Sequence, residues 1–159
     1  MESVVVARFD QLEPAVAYGV WRLRQEVFML EQQCLYPDLD GRDLEPGTLH
    51  VVVAEGVAEG SEADPPAVRG YCRILDEDGR EWRIGRVVAA PPARGSGLAH
   101  RVVTAAVGAC DERGPRPIVL DAQSPLVPWY AQHGFDVDGA EFLEDGIAHT
   151  PMRRIVPTP

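Results

Sequence analysis

The stretch Ile84 to Val107 constrains the chain most. A β-branched run ends at Pro91-Pro92, and Gly95 and Gly97 then open a segment whose apolar residues recur at helical spacing. Leu98, Val102, Ala105, Ala106 and Ala109 form the stripe, and Val103, Val107 and Cys110 widen it. The pattern predicts a strand, a turn and a helix packed on a sheet. Two glycines let the backbone approach a ligand closely, and the unpaired N–H groups of a first helical turn suit phosphate. The same glycines would also serve a plain turn or cap. Two familiar phosphate sites are disfavoured. The P-loop needs a lysine, and the chain contains none. In the dinucleotide fingerprint a third Gly or Ala should close the pattern where His100 stands.

The other elements are read around this stretch. Val4 to Phe9 predicts a first strand, and Val16, Val20, Leu23, Val27 and Leu30 mark one face of a helix over Leu12 to Gln32. Tyr36-Pro37 prevents its continuation. Asp38 to Glu45 is an acidic loop without the spacing of a calcium loop; it is read as a solvated loop or an acidic wall beside a cationic substrate. Leu49 to Ala54 is a second strand, and Glu55 to Ala67 an exposed loop. Val68 to Leu75 and Glu81 to Ala89 pair as a hairpin through Asp76 to Gly79. After Gly114-Pro115 come a strand over Pro117 to Ala122, a short helix over Pro125 to His133 capped by Gly134, and strands over Phe135 to Val137 and Ile147 to Ile155 around a turn at Glu144-Asp145-Gly146.

At 159 residues the chain is read as one domain over residues 1–159. Its net charge of −10 disfavours nucleic acid and anionic membranes as partners and favours a cationic acceptor. Cys34, Cys72 and Cys110 are far apart and odd in number, which suits free thiols in a reducing cytosol; no metal site is expected. No basic leader or membrane-length apolar run is present, and the expected location is cytoplasmic.

The order strand, helix, three strands, helix, strand, helix, strands resembles the Gcn5-related N-acetyltransferase (GNAT) fold, an α/β (α+β) arrangement with a central mixed, mostly antiparallel sheet flanked by helices. Arg94-Gly95-Ser96-Gly97-Leu98-Ala99 matches that superfamily's acyl-CoA motif: Arg or Gln, two free positions, Gly, one free position, then Gly or Ala. Trp129-Tyr130-Ala131-Gln132-His133-Gly134-Phe135 looks like its second signature, an aromatic-Tyr pair followed by Gly-Phe. A closer resemblance is to the ElaA-type branch. It rests on Leu23 to Phe28, Glu31 to Tyr36, Asp40 to Leu44 and Glu144 to His149.

The resemblance implies an acetyl-CoA-dependent N-acetyltransferase that transfers acetyl directly to a primary amine of a small molecule or peptide; it also admits a homodimer. Main-chain groups of Val87, Val88 and Ala89 would pair with the pantetheine amides. Residues Arg94, Gly95, Ser96, Gly97, Leu98 and Ala99 would seat the pyrophosphate, with added charge from Arg94 and, unless it simply faces solvent, Arg101. Gln123 joins the CoA-binding candidates, although many members place an Asn at that position, seven residues before the tyrosine. Tyr130 is the general-acid candidate, since a phenol holds its proton at neutral pH. Glu31, Asp43 and His149 are candidates for the base or for acceptor contacts, and Trp21, Tyr36 and Trp129 for lining the acceptor pocket. Two rival readings stand beside this: an acyl-CoA sensor of the same fold without catalysis, and an unrelated small nucleotide-binding protein.

Overall fold

The computed structural model describes residues 2–56 and 67–156. Its eight strands are β1 (Glu2–Ala7), β2 (Leu49–Glu55), β3 (Ala67–Glu77), β4 (Glu81–Ala89), β5 (Ile118–Gln123), β6 (Asp136–Val137), β7 (Phe142–Glu144) and β8 (Ile147–Arg154). They form one sheet in the order β1-β2-β3-β4-β5-β8-β6, with β7 also paired to β8. All neighbours are antiparallel except β4 and β5. The mixed, mostly antiparallel sheet flanked by helices is therefore present. Most of the exposed loop read over Glu55 to Ala67 lies outside the described residues. No helix among the described residues is long and apolar enough to cross a membrane.

The period-two alternation of β2 shows why both faces are covered. Val51 and Val53 join the core under helix α2 (Leu98–Glu112), while Val52 and Ala54 join the core under helix α1 (Pro14–Arg24). The α2 stripe buries Leu98, Val102, Val103, Ala106, Ala109 and Cys110; Ala105 and Val107 pack at its edge. Gly70 on β3 lets this helix sit close, because a Cβ there would meet Val102 at 3.0 Å and Leu98 at 3.2 Å.

Four elements differ from expectation. The helix read as running from Leu12 to Gln32 is α-helical only over Pro14–Arg24 and continues as a π-helix over Gln25–Glu31, where the Gln32 amide donates to the carbonyl of Val27 at 3.0 Å. The first strand stops at Ala7, and Phe9 begins a short 3₁₀ turn. Helix α3 is only Val127–Ala131, after a 3₁₀ turn at Ser124–Leu126. At the far edge the turn after Glu144 joins β7 to β8, and the strand expected at Phe135 to Val137 shrinks to β6.

The decisive irregularity lies between β3 and β4. Tyr71 pairs with Val88 and Arg73 with Gly85, so β4 carries one residue more than β3 in that interval. Within this bulge Arg86 has φ 55°. The parallel pairing of β4 with β5 is confined to Trp82↔Ile118 and Arg83↔Val119. Beyond it the strands part and leave a wedge open between the two halves of the sheet.

Candidate active site

The wedge is a cleft of about 340 Å³. Ile84 to Val87 line it from β4; Leu120, Asp121 and Gln123 from β5; Tyr130 from α3; Ile147 and His149 from β8; Phe28, Gln32, Cys34 and Tyr36 from the π-helix and the loop after it. From Ile84 to Ala89 the β5-facing edge of β4 has no strand partner among the described residues. Such an edge presents main-chain N–H and C=O groups that an extended amide-bearing molecule satisfies as an added strand would. Val88 is buried toward α1 and Val87 packs toward α2, so the side chains anchor the strand while its edge stays open.

The edge runs into the glycine turn. Gly95 and Gly97 have φ 81° and 82°, and a Cβ built on either would meet nothing within 4 Å. The left-handed backbone, not crowding by the protein, explains these glycines. Gly97 caps α2 without any side-chain hydrogen bond. Among the described residues, the N–H groups of Gly95, Gly97, Leu98, Ala99 and His100 have no acceptor, and the first amide bonded within the helix is Arg101, to Gly97 at 3.2 Å. A cradle of unpaired donors at the positive end of a 15-residue helix fits a pyrophosphate. Arg94 beside it is held in a fork by Glu31, with Nη1 to Oε1 at 2.6 Å and Nη2 to Oε2 at 2.9 Å. That hydrogen bond holds the Glu31 carboxyl below its ordinary range. Arg101 pairs with Glu2 at 2.6 Å, on the β1 side of the sheet.

Tyr130 lines the cleft from α3. Its ring is held edge-on by Trp129 (centroids 4.8 Å, 89°) and Phe135 (6.2 Å, 82°), and its hydroxyl has no hydrogen-bond partner among the described residues. Burial, reinforced by the Cys72 thiol, pushes the phenol above the ordinary tyrosine range. Gln123 and His149 face each other in the β5–β8 register. His149 Nδ1 lies 2.8 Å from the carbonyl of Ile147, which only accepts, so Nδ1–H donates there and Nε2 is the ring nitrogen left to exchange a proton. Phe142 stacks on that ring at 5.7 Å.

The remaining candidates lie elsewhere. The acidic loop is not an acidic wall: Asp38, Asp40 and Asp43 turn inward onto three arginines, and Glu45 pairs with Arg42 at the surface at 3.2 Å. Arg24, fully buried, donates to Asp38 at 2.9 Å and to Asp43 at 2.7 Å. Arg73 forks onto Asp40 at 2.8 and 2.7 Å and reaches Asp43 at 3.3 Å, and Arg86 from the bulge donates to Asp38 at 2.7 Å. Asp43 thus sits beneath the cleft and does not line it. Glu31 closes over Arg94 at the phosphate end. Of the aromatic candidates, Tyr36 lines the cleft, Trp21 stacks on Phe9 at 5.5 Å, and Trp129 backs Tyr130 from outside the lining.

Residues not singled out from sequence complete the site. Glu144 and Asp145 line the cleft and make no ion pair among the described residues, whereas Asp121, also in the lining, is paired with Arg83 at 3.2 Å. Their turn was legible as a hairpin, but its position over the cleft was not. His100 and His133 meet behind α3 only through the fold. Nδ1 of His100 lies 3.0 Å from Nε2 of His133, and the Trp129 indole N–H donates to Nε2 of His100 at 2.8 Å.

Residues 45–156 match the model of the acetyltransferase (GNAT) domain family. A UPF0039 protein of Mycobacterium tuberculosis is 41% identical over 146 residues, covering 90% of this chain and 86% of that one. Among solved structures, an acyl-CoA N-acyltransferase from Pseudomonas aeruginosa superposes with a TM-score of 0.85 at 32% identity over 97% of this chain and 99% of that one. Protein ElaA of Escherichia coli is 32% identical over 150 residues, 92% of each chain, and its crystal structure superposes with a TM-score of 0.85. With the wedge, the uncapped helix and the Arg94 to Ala99 motif in place, the chain belongs to the GNAT acetyltransferases, in their ElaA-type branch.

Proposed function

We propose that the protein transfers an acetyl group from acetyl-CoA directly to a primary amine of a small molecule or peptide. One observation carries this reading: an unpaired strand edge and an unbonded tyrosine hydroxyl border one cleft, and that strand leads through a short turn into an uncapped helix N-terminus. The amides of Gly95 to Ala99 hold the pyrophosphate, joined by Arg94 once its fork turns from Glu31. The open edge at Val87, Val88 and Ala89 pairs with the pantetheine amides, and Gln123 supplies an amide at the end of β5.

The acceptor enters past Glu144 and Asp145, whose uncompensated carboxylates favour an ammonium group. His149 takes the amine proton on Nε2, directly or through water, so that the neutral nitrogen attacks the thioester carbonyl. A backbone N–H near Val88 or Ala89 stabilises the oxyanion. Tyr130 donates its phenolic proton to the departing thiolate, and its raised pKa keeps that proton in place at neutral pH. Glu31 and Asp43, both committed to arginines, are left out of the proton path.

The test is release of free thiol from acetyl-CoA in the presence of a panel of primary amines, with mass spectrometry of the products. Acetylated amine formed in step with thiol supports the reading. Thermal stabilisation by CoA without thiol release from any amine would favour a non-catalytic sensor, and no response to CoA at all would remove both.

A further inference from the structure

Helix α3 is too short to hold itself in place. It has five residues, with Pro128 in its first turn, and isolated helices of that length are unstable in water. The general-acid tyrosine proposed above sits on it, so something outside the helix must fix its direction. The anchor is visible behind it. The Trp129 indole donates to His100 Nε2 at 2.8 Å, with the rings 4.5 Å apart. His100 belongs to the first turn of α2, the turn whose amides form the phosphate cradle.

The donors and acceptors of this contact are determined by its chemistry. An indole nitrogen can only donate, so Nε2 of His100 must accept and its proton must sit on Nδ1. Nδ1–H then donates to Nε2 of His133 at 3.0 Å, which places the His133 proton on Nδ1. The chain Trp129, His100, His133 therefore runs in one direction and ties the middle of α3 and the turn that follows it to the first turn of α2. Trp129 in turn packs edge-on against Tyr130 at 4.8 Å and 89°.

We infer that His100 is a positioning residue: through the Trp129 indole it fixes the direction of the Tyr130 phenol relative to the phosphate cradle. Seating the pyrophosphate and aiming the acid thereby depend on the same helical turn. The inference rests on the acetyltransferase reading for the role of Tyr130, but the anchor itself is observable without turnover.

Four variants test it. In His100→Phe the ring remains and the acceptor is lost. In His100→Gln the side-chain amide oxygen reaches near the former Nε2, whereas in His100→Asn it falls short. Trp129→Phe removes the donor and identifies the Trp129 indole signal in a nitrogen–proton NMR spectrum. In CoA-free protein, His100→Phe and His100→Asn should shift that signal and speed its exchange with solvent and should also move the Tyr130 ring resonances; His100→Gln should restore both. With acetyl-CoA and an accepted amine, His100→Phe should lower kcat on the order of tenfold to a hundredfold, as misplacement of a catalytic group does, with KM for acetyl-CoA within about twofold. His100→Gln should recover most of that loss, and His100→Phe/Trp129→Phe should be no slower than either single variant. Unchanged indole and Tyr130 signals in His100→Phe would overturn the anchor whatever the kinetics. Multiplicative losses in the double variant, or a loss confined to KM, would overturn the positioning role. Absence of thiol release from the parent protein would count against the acetyltransferase reading alone, and the NMR arm would still decide the anchor.

Discussion

At Gly97 a single dihedral separates a binding turn from a blocked one. Its φ of 82° strains any residue with a side chain, and a Cβ there would project into open space where the unpaired amides converge. Gly97→Val should therefore fold, at a cost of about 1–2 kcal/mol for the left-handed backbone, and yet weaken CoA binding by at least about tenfold, equivalent to about 1.4 kcal/mol. Isothermal titration with CoA reads this directly; an unaltered affinity would remove the cradle from the site. Tyr130 makes the complementary case. Tyr130→Phe keeps the ring between Trp129 and Phe135 and deletes only the hydroxyl, which has no partner within the described protein. Turnover should fall by roughly 10²-fold or more, the scale of general acid catalysis, while CoA affinity stays near that of the parent. Unchanged kcat would take Tyr130 out of the reaction.

At the scale of elements, the acidic loop acts as a bolt. Residues Asp38 to Asp43 close over α1 and the bulge of β4 through Arg24, Arg73 and Arg86, and His50 completes the layer, its Nε2 3.0 Å from the Asp43 carbonyl and its Nδ1 2.6 Å from the Tyr71 hydroxyl. Arg24→Ala should destabilise by about 3 kcal/mol, since it leaves buried carboxylates short of a partner; a urea melt showing less than half of that would mean that Arg73 and Arg86 suffice. The layer also sets an acid limit. Burial, first among the causes, lowers the His50 pKa, so the unfolded chain takes up a proton that the folded one refuses. That contribution is complete above the unfolded value of about 6.5 and is lost as pH falls from there through the folded value; His133, also lowered, acts in the same sense. Burial raises Asp40, but the hydrogen bonds from Arg73 and the Arg42 amide outweigh it and hold the carboxyl far below its usual range, so its contribution goes only at still lower pH. The Tm should hold from pH 8 to 7, fall as the pH drops below about 6.5, and fall again below about 4. His50→Gln should flatten the first step, and a first step of the same size in that variant would assign it elsewhere.

These elements also show what the sequence makes legible. The central strands and α2 were readable because burial imposes a period of two on Val51 to Ala54 and a helical stripe on Leu98 to Cys110. The glycine turn before α2 is readable because its glycines and its helix are contiguous. The acidic loop was misread because its counter-charges, at positions 24, 73 and 86, come from α1, β3 and β4, and only the fold brings them together. The π-helix was hidden because Val27 and Leu30 continue the spacing of an ordinary helix, and the difference of one residue per turn shows only in the hydrogen bonds. The pairing of His100 with His133 carries no sequence signal, because His133 fills a free position of one motif, His100 lies just past the other, and only the fold brings them together.

The whole molecule is a sheet in two halves joined by little at the centre. Strands β1 to β4 pack with α1 and α2, β5 and β8 carry Gln123 and His149, and among the described residues only Trp82 and Arg83 pair with β5 across the junction. The bulge at Arg86 keeps the wedge from zipping shut, and Arg86 is itself held by Asp38. An extended acyl-CoA would fill that wedge, satisfying the β4 edge and the α2 amides together, and would bind the folded state without an equivalent in the unfolded chain. At a CoA concentration of about 100 times Kd, such linkage stabilises by about 2.7 kcal/mol, and for a chain of this size that corresponds to a rise in Tm of roughly 5–11 °C. Gly97→Val should lose most of this rise at the same CoA concentration, because the phosphate end no longer engages. Free pantetheine, which reaches the β4 edge but brings no pyrophosphate, should give a smaller shift in the parent that survives in Gly97→Val. Equal shifts from CoA and pantetheine in the parent would show that the helix N-terminus contributes nothing to the hold, and the wedge alone would then account for binding.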